Sequence, residues 1–282
     1  MDLGRALSAV GAGDRAASFE LFSRNIDRDW VEQALQATGS ATVRRRKLPA
    51  EYVVWIVIGM GLLRDRSIQE VVRHLDLVLP DAKAPRNRGL VTGGAVVQAR
   101  DRLGAQPMEE LFTKTAQQWS ASSAEKNRWR GLTVYGIDGS TLRIPDTEEN
   151  EGVFGRPASG RGQAAYPQVK IVALLVLRTH LVANMELGGC RESELKLAEP
   201  LLDALPNSSL TILDRAYLSF YHLHRIQSQG TGRHWLTRMK TKVTVKKVKQ
   251  LGPGDHLVEL TATPQARKRP SETWCPGRTR AR

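Results

Sequence analysis

Two aspartates stand at the ends of short apolar runs. Val134-Tyr135-Gly136-Ile137 leads into Asp138 and then Gly139-Ser140-Thr141-Leu142, and Leu210-Thr211-Ile212-Leu213 leads into Asp214 and Arg215. Apolar runs this short read as buried strands, so each carboxylate would be presented at a strand end. Carboxylates placed in this way suit Mg²⁺ or Mn²⁺, hard cations that take oxygen ligands and keep several waters. Two such ions about 4 Å apart can serve both the attacking and the leaving oxygen of a phosphate ester. Gly139 would leave room for a phosphate backbone to come close. Taken singly, each aspartate reads more readily as a turn former or helix cap. Taken together in a basic chain, Asp138 and Asp214 point to metal-assisted chemistry on a phosphate backbone.

The chain is basic: 42 Lys plus Arg against 29 Asp plus Glu give a net charge of +13 over 282 residues. Such a balance favours a polyanionic partner, nucleic acid before membrane, because neutralising phosphates releases counterions. A merely soluble basic enzyme is the plainer alternative. No acidic residue occurs between Asp214 and Asp255, while Arg215, Arg238, Lys240, Lys242, Lys246 and Lys247 accumulate there. Val243, Val245 and Val248 interleave with these lysines, a pattern expected of a strand with one basic face that contacts nucleic acid. Arg44-Arg45-Arg46-Lys47, just before Pro49, suits a solvated linker as well as a phosphate contact. The apolar run Val53 to Leu63 falls short of the roughly 20 residues that span a membrane. Cys190 and Cys275 have no metal-ligand spacing, so a reduced, cytoplasmic protein without a membrane partner is expected.

Other chemistries are poorly supplied. His222 and His224 have no Cys or His at zinc spacing and read as the surface of a helix beside Tyr221. The glycine-rich stretch from Gly155 to Gly162 lacks the Lys-Ser/Thr ending of a phosphate loop. Ser140 lacks the frame of a nucleophile elbow.

The elements that must position the aspartates follow from periodicity. Residues 1–19 are weakly patterned and are expected to be flexible. Residues 20–125 carry apolar groups at helical spacing, including Ile26, Trp30, Val31 and Leu35. Ser67 and Glu70 form a capping box, and runs from Val96 to Leu103 and Met108 to Trp119 read as helices. From Trp129 the pattern becomes strand-like, and residues 126–263 predict a mixed sheet with flanking helices. The whole is therefore α+β. Residues 264–282 are basic, lose periodicity and show no packed element.

With these motifs in place, the chain resembles the transposases of IS4-family insertion elements. In the first half the resemblance rests on Arg24-Asn25-Ile26-Asp27, Trp30-Val31-Glu32-Gln33-Ala34-Leu35 and Arg44 to Glu51. In the second it rests on Gly136 to Thr147, Phe154-Gly155, Tyr166-Pro167-Gln168-Val169 and Leu213-Asp214-Arg215-Ala216-Tyr217. The resemblance implies a helical N-terminal domain and an RNase H-like domain using a DDE triad with divalent metal. Asp138 and Asp214 match its first two acids. The implied activity is cleavage of double-stranded DNA at element ends and strand transfer into target DNA, by a homodimer associated with the nucleoid. The family's third acid lies in a Tyr-x2-Arg-x3-Glu-x6-Lys pattern that does not occur after Asp214, where Tyr221 is followed at that interval by His224. The expectation is thus a chain truncated before its third catalytic carboxylate, with an incomplete sheet and impaired cutting. A non-catalytic DNA-binding relic or regulator is the alternative, and Glu259 or Glu272 are the candidate substitutes.

Overall fold

The structure, a computed structural model, describes residues 24–41, 48–78, 91–159, 162–240, 243, 245–262 and 278–281. The chain divides into two compact units after Thr115. The expected flexible N-terminus and the cluster Arg44, Arg45, Arg46 and Lys47 lie outside the described residues, as do Lys242 and Glu272.

The first unit is helical. Helix α1 (Arg28–Ala37) begins at Asp27, whose carboxylate accepts from the Asp29 N–H at 3.0 Å, and it buries Val31, Ala34 and Leu35. Helix α2 (Ala50–Leu62) follows Pro49. Its apolar residues run all round, so it lies inside with Tyr52 to Ile56 and Gly59 buried. Helix α3 (Ile68–Val78) packs on it and opens with the expected capping box. Glu70 Oε2 accepts from the Ser67 N–H at 2.9 Å, and the Glu70 N–H donates to Ser67 Oγ at 3.3 Å. Helix α4 (Gly93–Leu103) starts ahead of Val96, because Thr92 caps it by accepting from the Ala95 N–H. Helix α5 (Gln106–Lys126) continues past Trp119, and the division between the units falls within it.

The second unit is built on a five-stranded sheet. Its strands are β1 (Thr133–Arg143), β4 (Gln168–Val176), β5 (Leu181–Gly189), β6 (Ser209–Leu213) and β7 (Arg233–Thr237), in the order β5-β4-β1-β6-β7. A short helix α6 (Glu148–Phe154) and the two-residue strands β2 (Ala158–Ser159) and β3 (Gly162–Gln163) lie between β1 and β4. Strands β1, β4 and β5 are antiparallel, whereas β1, β6 and β7 are parallel. Parallel neighbours require crossovers. Helix α7 (Glu194–Asp203) carries the chain from β5 to β6, and α8 (Phe220–Ser228) carries it from β6 to β7. Arg225 of α8 grips Asp203 through Nε at 2.6 Å and reaches Glu199 at 3.3 Å, joining the two helices.

Alternation along the strands places one face under these helices. Thr133, Tyr135 and Ile137 of β1 are buried, as are Ser209, Thr211 and Leu213 of β6. On the opposite face Ile212 is paired with Leu236 and the two are 37% and 54% exposed. The architecture is the α+β arrangement expected: helices first, then a mixed sheet with flanking helices.

A second sheet, in the order β10-β9-β8, comprises β8 (Val245–Gly252), β9 (Asp255–Thr261) and β10 (Arg278–Ala281). Its last strand corrects the expectation that nothing after residue 263 packs. Arg278 to Ala281 pair antiparallel with Thr261 to Val258. Strand addition uses backbone groups, so it needs no apolar alternation in the added segment. Strand β8 corrects a second expectation. Its register shifts between Lys247 and Lys249, and Val248 is 44% exposed, so the lysines do not form one face opposite buried valines.

The two faces of the main sheet predict opposite mutational costs. Leu201→Ala, at a fully buried position of α7, should destabilise the protein by about 2–5 kcal/mol. Leu236→Ala, at an exposed position of the opposite face, should stay within about 0.5 kcal/mol. Urea unfolding of both variants measures the difference.

Candidate functional site

The parallel pairing of β1 and β6 ends with Ile137 opposite Leu213. Asp138 and Asp214 are the next residue on each strand, so two carboxylates emerge side by side at one edge of the sheet. Both are exposed. Alternation puts the Asp138 side chain on the face away from α7 and α8, since Ile137 and Gly139 point toward the helices. Asp138 Oδ1 accepts from the Gly139 N–H at 2.9 Å, and Asp214 Oδ1 accepts from the Arg215 N–H at 2.6 Å.

A single 3₁₀ turn, Arg215–Tyr217, follows Asp214 and precedes α8. Asp214 caps this turn, and Ser219 starts α8 afresh by accepting from the His222 N–H at 3.3 Å. The turn is tied down twice, from the end of β7 and from the segment that follows it. Thr237 Oγ1 donates to the Asp214 carbonyl at 3.3 Å. Lys240 Nζ donates to the carbonyls of Ala216 and Leu218 at 3.2 and 3.3 Å. Lys240, singled out as a nucleic-acid contact, therefore also has a local duty in the fold.

Tyr217 is buried, with its hydroxyl donating to Glu194 Oε1 at 2.8 Å. Burial pushes the phenol well above its ordinary range. The bond to Glu194 and the negative charges of Glu194, Asp138 and Asp214 push it further the same way. Glu194 is the first residue of α7, and its carboxylate rests on Gly139. A Cβ built there would stand 2.3 Å from Glu194 Cδ and 2.4 Å from Oε1. The space above Gly139 is thus filled by a side chain of this protein, not left for a phosphate. Sequence reading missed Glu194; the only signals were an acidic residue in a helix first turn and a glycine at position 139.

The remaining expected residues fall around this edge or away from it. Arg215 and Arg238 are exposed where β6 and β7 end, and the parallel order puts both ends at the Asp138–Asp214 edge. Lys246 and Lys247 are exposed on β8, with Lys246 opposite Glu259 in the second sheet. His222 is buried rather than on the helix surface, its ring nitrogens meeting Ser219 Oγ and the Leu195 carbonyl. Two exposed carboxylates supply the anionic oxygens that Mg²⁺ or Mn²⁺ takes, so the donor chemistry fits such an ion. Among the described residues no group of three His, Cys, Asp or Glu side chains could hold one.

Comparison with known proteins adds to this geometry. Residues 16–113 match the family model of the insertion element 4 transposase N-terminal region, and residues 129–280 match that of the transposase DDE domain. The chain is 37% identical over 270 residues to the transposase InsG for insertion sequence element IS4 of Escherichia coli K12, covering 95% of this chain. It spans 60% of the length of InsG. It is also 37% identical over 220 residues to InsZ of the same bacterium, covering 78% of this chain and 71% of InsZ.

Gly139→Ala would push the Glu194 carboxylate away and leave the buried Tyr217 hydroxyl unpaired, at an expected cost of about 1–3 kcal/mol. In a Tyr217→Phe background no hydroxyl is stranded, and the same substitution should cost less than about 0.5 kcal/mol. Thermal unfolding of the double-mutant cycle measures this coupling.

Proposed function

The chain belongs to the IS4-type transposase family with an RNase H-like DDE domain, and on that premise we propose that it binds double-stranded DNA at element ends and target and performs divalent-metal-dependent strand cleavage and transfer. The observation that carries the reading is the adjacency of Asp138 and Asp214 one step beyond the Ile137/Leu213 pair. Asp138 and Asp214 are the residues that would hold Mg²⁺ or Mn²⁺. Such an ion supplies Lewis-acid stabilisation of charge on the phosphoryl oxygens.

The chain's own side chains do the rest. The parallel strands fix the two carboxylates at one height, and the Arg215 amide holds one Asp214 oxygen so that its carboxylate is oriented before DNA arrives. Arg215 and Arg238 neutralise phosphates beside the carboxylates, while Lys246 and Lys247 on β8 hold phosphates farther along the duplex. No helix among the described residues is long and apolar enough to cross a membrane. A basic chain that engages DNA in this way would associate with the nucleoid. Its active assembly would be a homodimer, the smallest assembly that presents one such site to each of two element ends.

The purified chain with Mg²⁺ or Mn²⁺ should nick DNA carrying its element ends at an impaired rate, because no third acid joins Asp138 and Asp214 among the described residues, and Asp138→Ala and Asp214→Ala should each abolish that nicking while leaving DNA binding intact. Salt-sensitive binding with no cutting in the parent chain would instead favour a DNA-binding regulator. Replacing Lys246 and Lys247 by Ala should weaken binding at all sequences and reduce the salt slope by about 1 for each phosphate no longer neutralised. An unchanged slope would remove these lysines from the interface.

A further inference from the structure

The proposed function gives Glu194 no part, yet its carboxylate touches both segments that carry the aspartates. On one side it lies against Gly139, the residue after Asp138. On the other it accepts from the hydroxyl of Tyr217, the last residue of the turn that Asp214 caps. Its direction of approach decides its role. Gly139 turns its Cα hydrogen toward α7, whereas Asp138, one residue earlier on a regular strand, points to the opposite face. Glu194 therefore stands behind the pair of aspartates.

We propose that the Glu194–Tyr217 hydrogen bond is a positioning clamp, which fixes the turn after Asp214 against β1 and so sets the spacing of Asp138 and Asp214 and their affinity for a divalent cation. The inference rests on reading these two aspartates as the cation's ligands. Pairing between β1 and β6 stops at Ile137 and Leu213; Asp138 stays in the ladder opposite Ala173, whereas the turn after Asp214 needs another device to hold it against β1. Tyr217 supplies it because its ring is buried and its hydroxyl has a charged acceptor, the stronger kind of hydrogen bond. Lys240 steadies the same turn from the β7 side through the carbonyls of Ala216 and Leu218. The clamp needs an acceptor oxygen at position 194 and not a negative charge. Glutamine can meet that need.

The test uses the full 282-residue chain and two readouts. The first is Mn²⁺ affinity by calorimetric titration. The second, in metal-free protein, is amide exchange at Leu218, whose N–H donates to the Arg215 carbonyl within the turn. Tyr217→Phe and Glu194→Ala should each weaken Mn²⁺ binding about tenfold and speed Leu218 exchange by a similar factor. Glu194→Gln should keep both within about twofold of the parent. If Glu194→Ala fails to fold, Tyr217→Phe, which keeps the buried ring, decides alone. Parent-like affinity and exchange in Tyr217→Phe would overturn the clamp. A Glu194→Gln variant as impaired as Glu194→Ala would also overturn it, since charge would then be the requirement. A parent chain whose Mn²⁺ binding is unaffected by Asp138→Ala would sink the ligand reading instead, and the exchange arm would still show whether the clamp exists.

Discussion

The structure of the second unit depends on the parallel register between β1 and β6. Tyr135 lies opposite Thr211 and Ile137 opposite Leu213, and these pairs bring Asp138 and Asp214 beside one another. A slip of one residue in either strand would turn its carboxylate toward α7 and α8 and its buried partner toward solvent. The burial of Ile137 and Leu213 under the helices therefore specifies where the carboxylates go. The crossover helix α7 is the cost of parallel pairing, since β6 can reach β1 in that direction only through a connection that spans the sheet. The same helix begins with Glu194, so the element that makes the pairing possible also supplies the group that touches both ends of it.

Electrostatics gives that adjacency its meaning. Two unit charges about 4 Å apart repel by about 1 kcal/mol even in water, and by more beside a protein surface. A pair of carboxylates also repels the phosphates it would act upon. A divalent cation reverses both effects, and the exposed Arg215 and Arg238 at the same sheet edge oppose the second. The net charge of +13 is a property of the whole chain and raises encounter with DNA generally. Placement at the ends of parallel strands is what brings part of that charge to the carboxylates. Lys240 in the acid-free tract has a duty in the fold besides its charge, since its ammonium is engaged with backbone carbonyls.

What was legible in the sequence was whatever a local pattern encodes. Ser67 and Glu70 are separated by one helical turn, and they form the capping box that the spacing implies. The apolar runs before Asp138 and Asp214 alternate into a buried face and so give both strands and both carboxylates. Contacts made between distant segments leave no such mark. Gly139 reads as room for a phosphate because nothing near it in sequence could fill that room; Glu194 fills it from another element. His222 is buried because α8 packs on α7 and the Leu195 carbonyl meets its ring, neither of which helical periodicity around Tyr221 discloses. Of the lysines of β8 only Lys247 and Lys249 could share a face under strict alternation, and a register shift between them breaks it.

The face on which each acid stands also separates the duties of the three carboxylates. A ligand to an ion held by Asp138 would approach from the side to which Asp138 points, the side where Ile212 and Leu236 are partly exposed. Glu194 comes from the helix side, with the strand backbone at Gly139 between it and that position. Its nearness to the pair is thus no argument that it completes a metal triad, in keeping with the lack of any three-carboxylate metal group among the described residues. Glu259 is no better placed to do so, since it sits in β9 of the second sheet opposite Lys246. The same strand geometry that presents Asp138 outward obliges its neighbour to face inward, and a glycine there lets an acid press against the strand from behind. The proposed ligand and its proposed support meet β1 at consecutive residues on opposite faces, so either can change without directly filling the other's space.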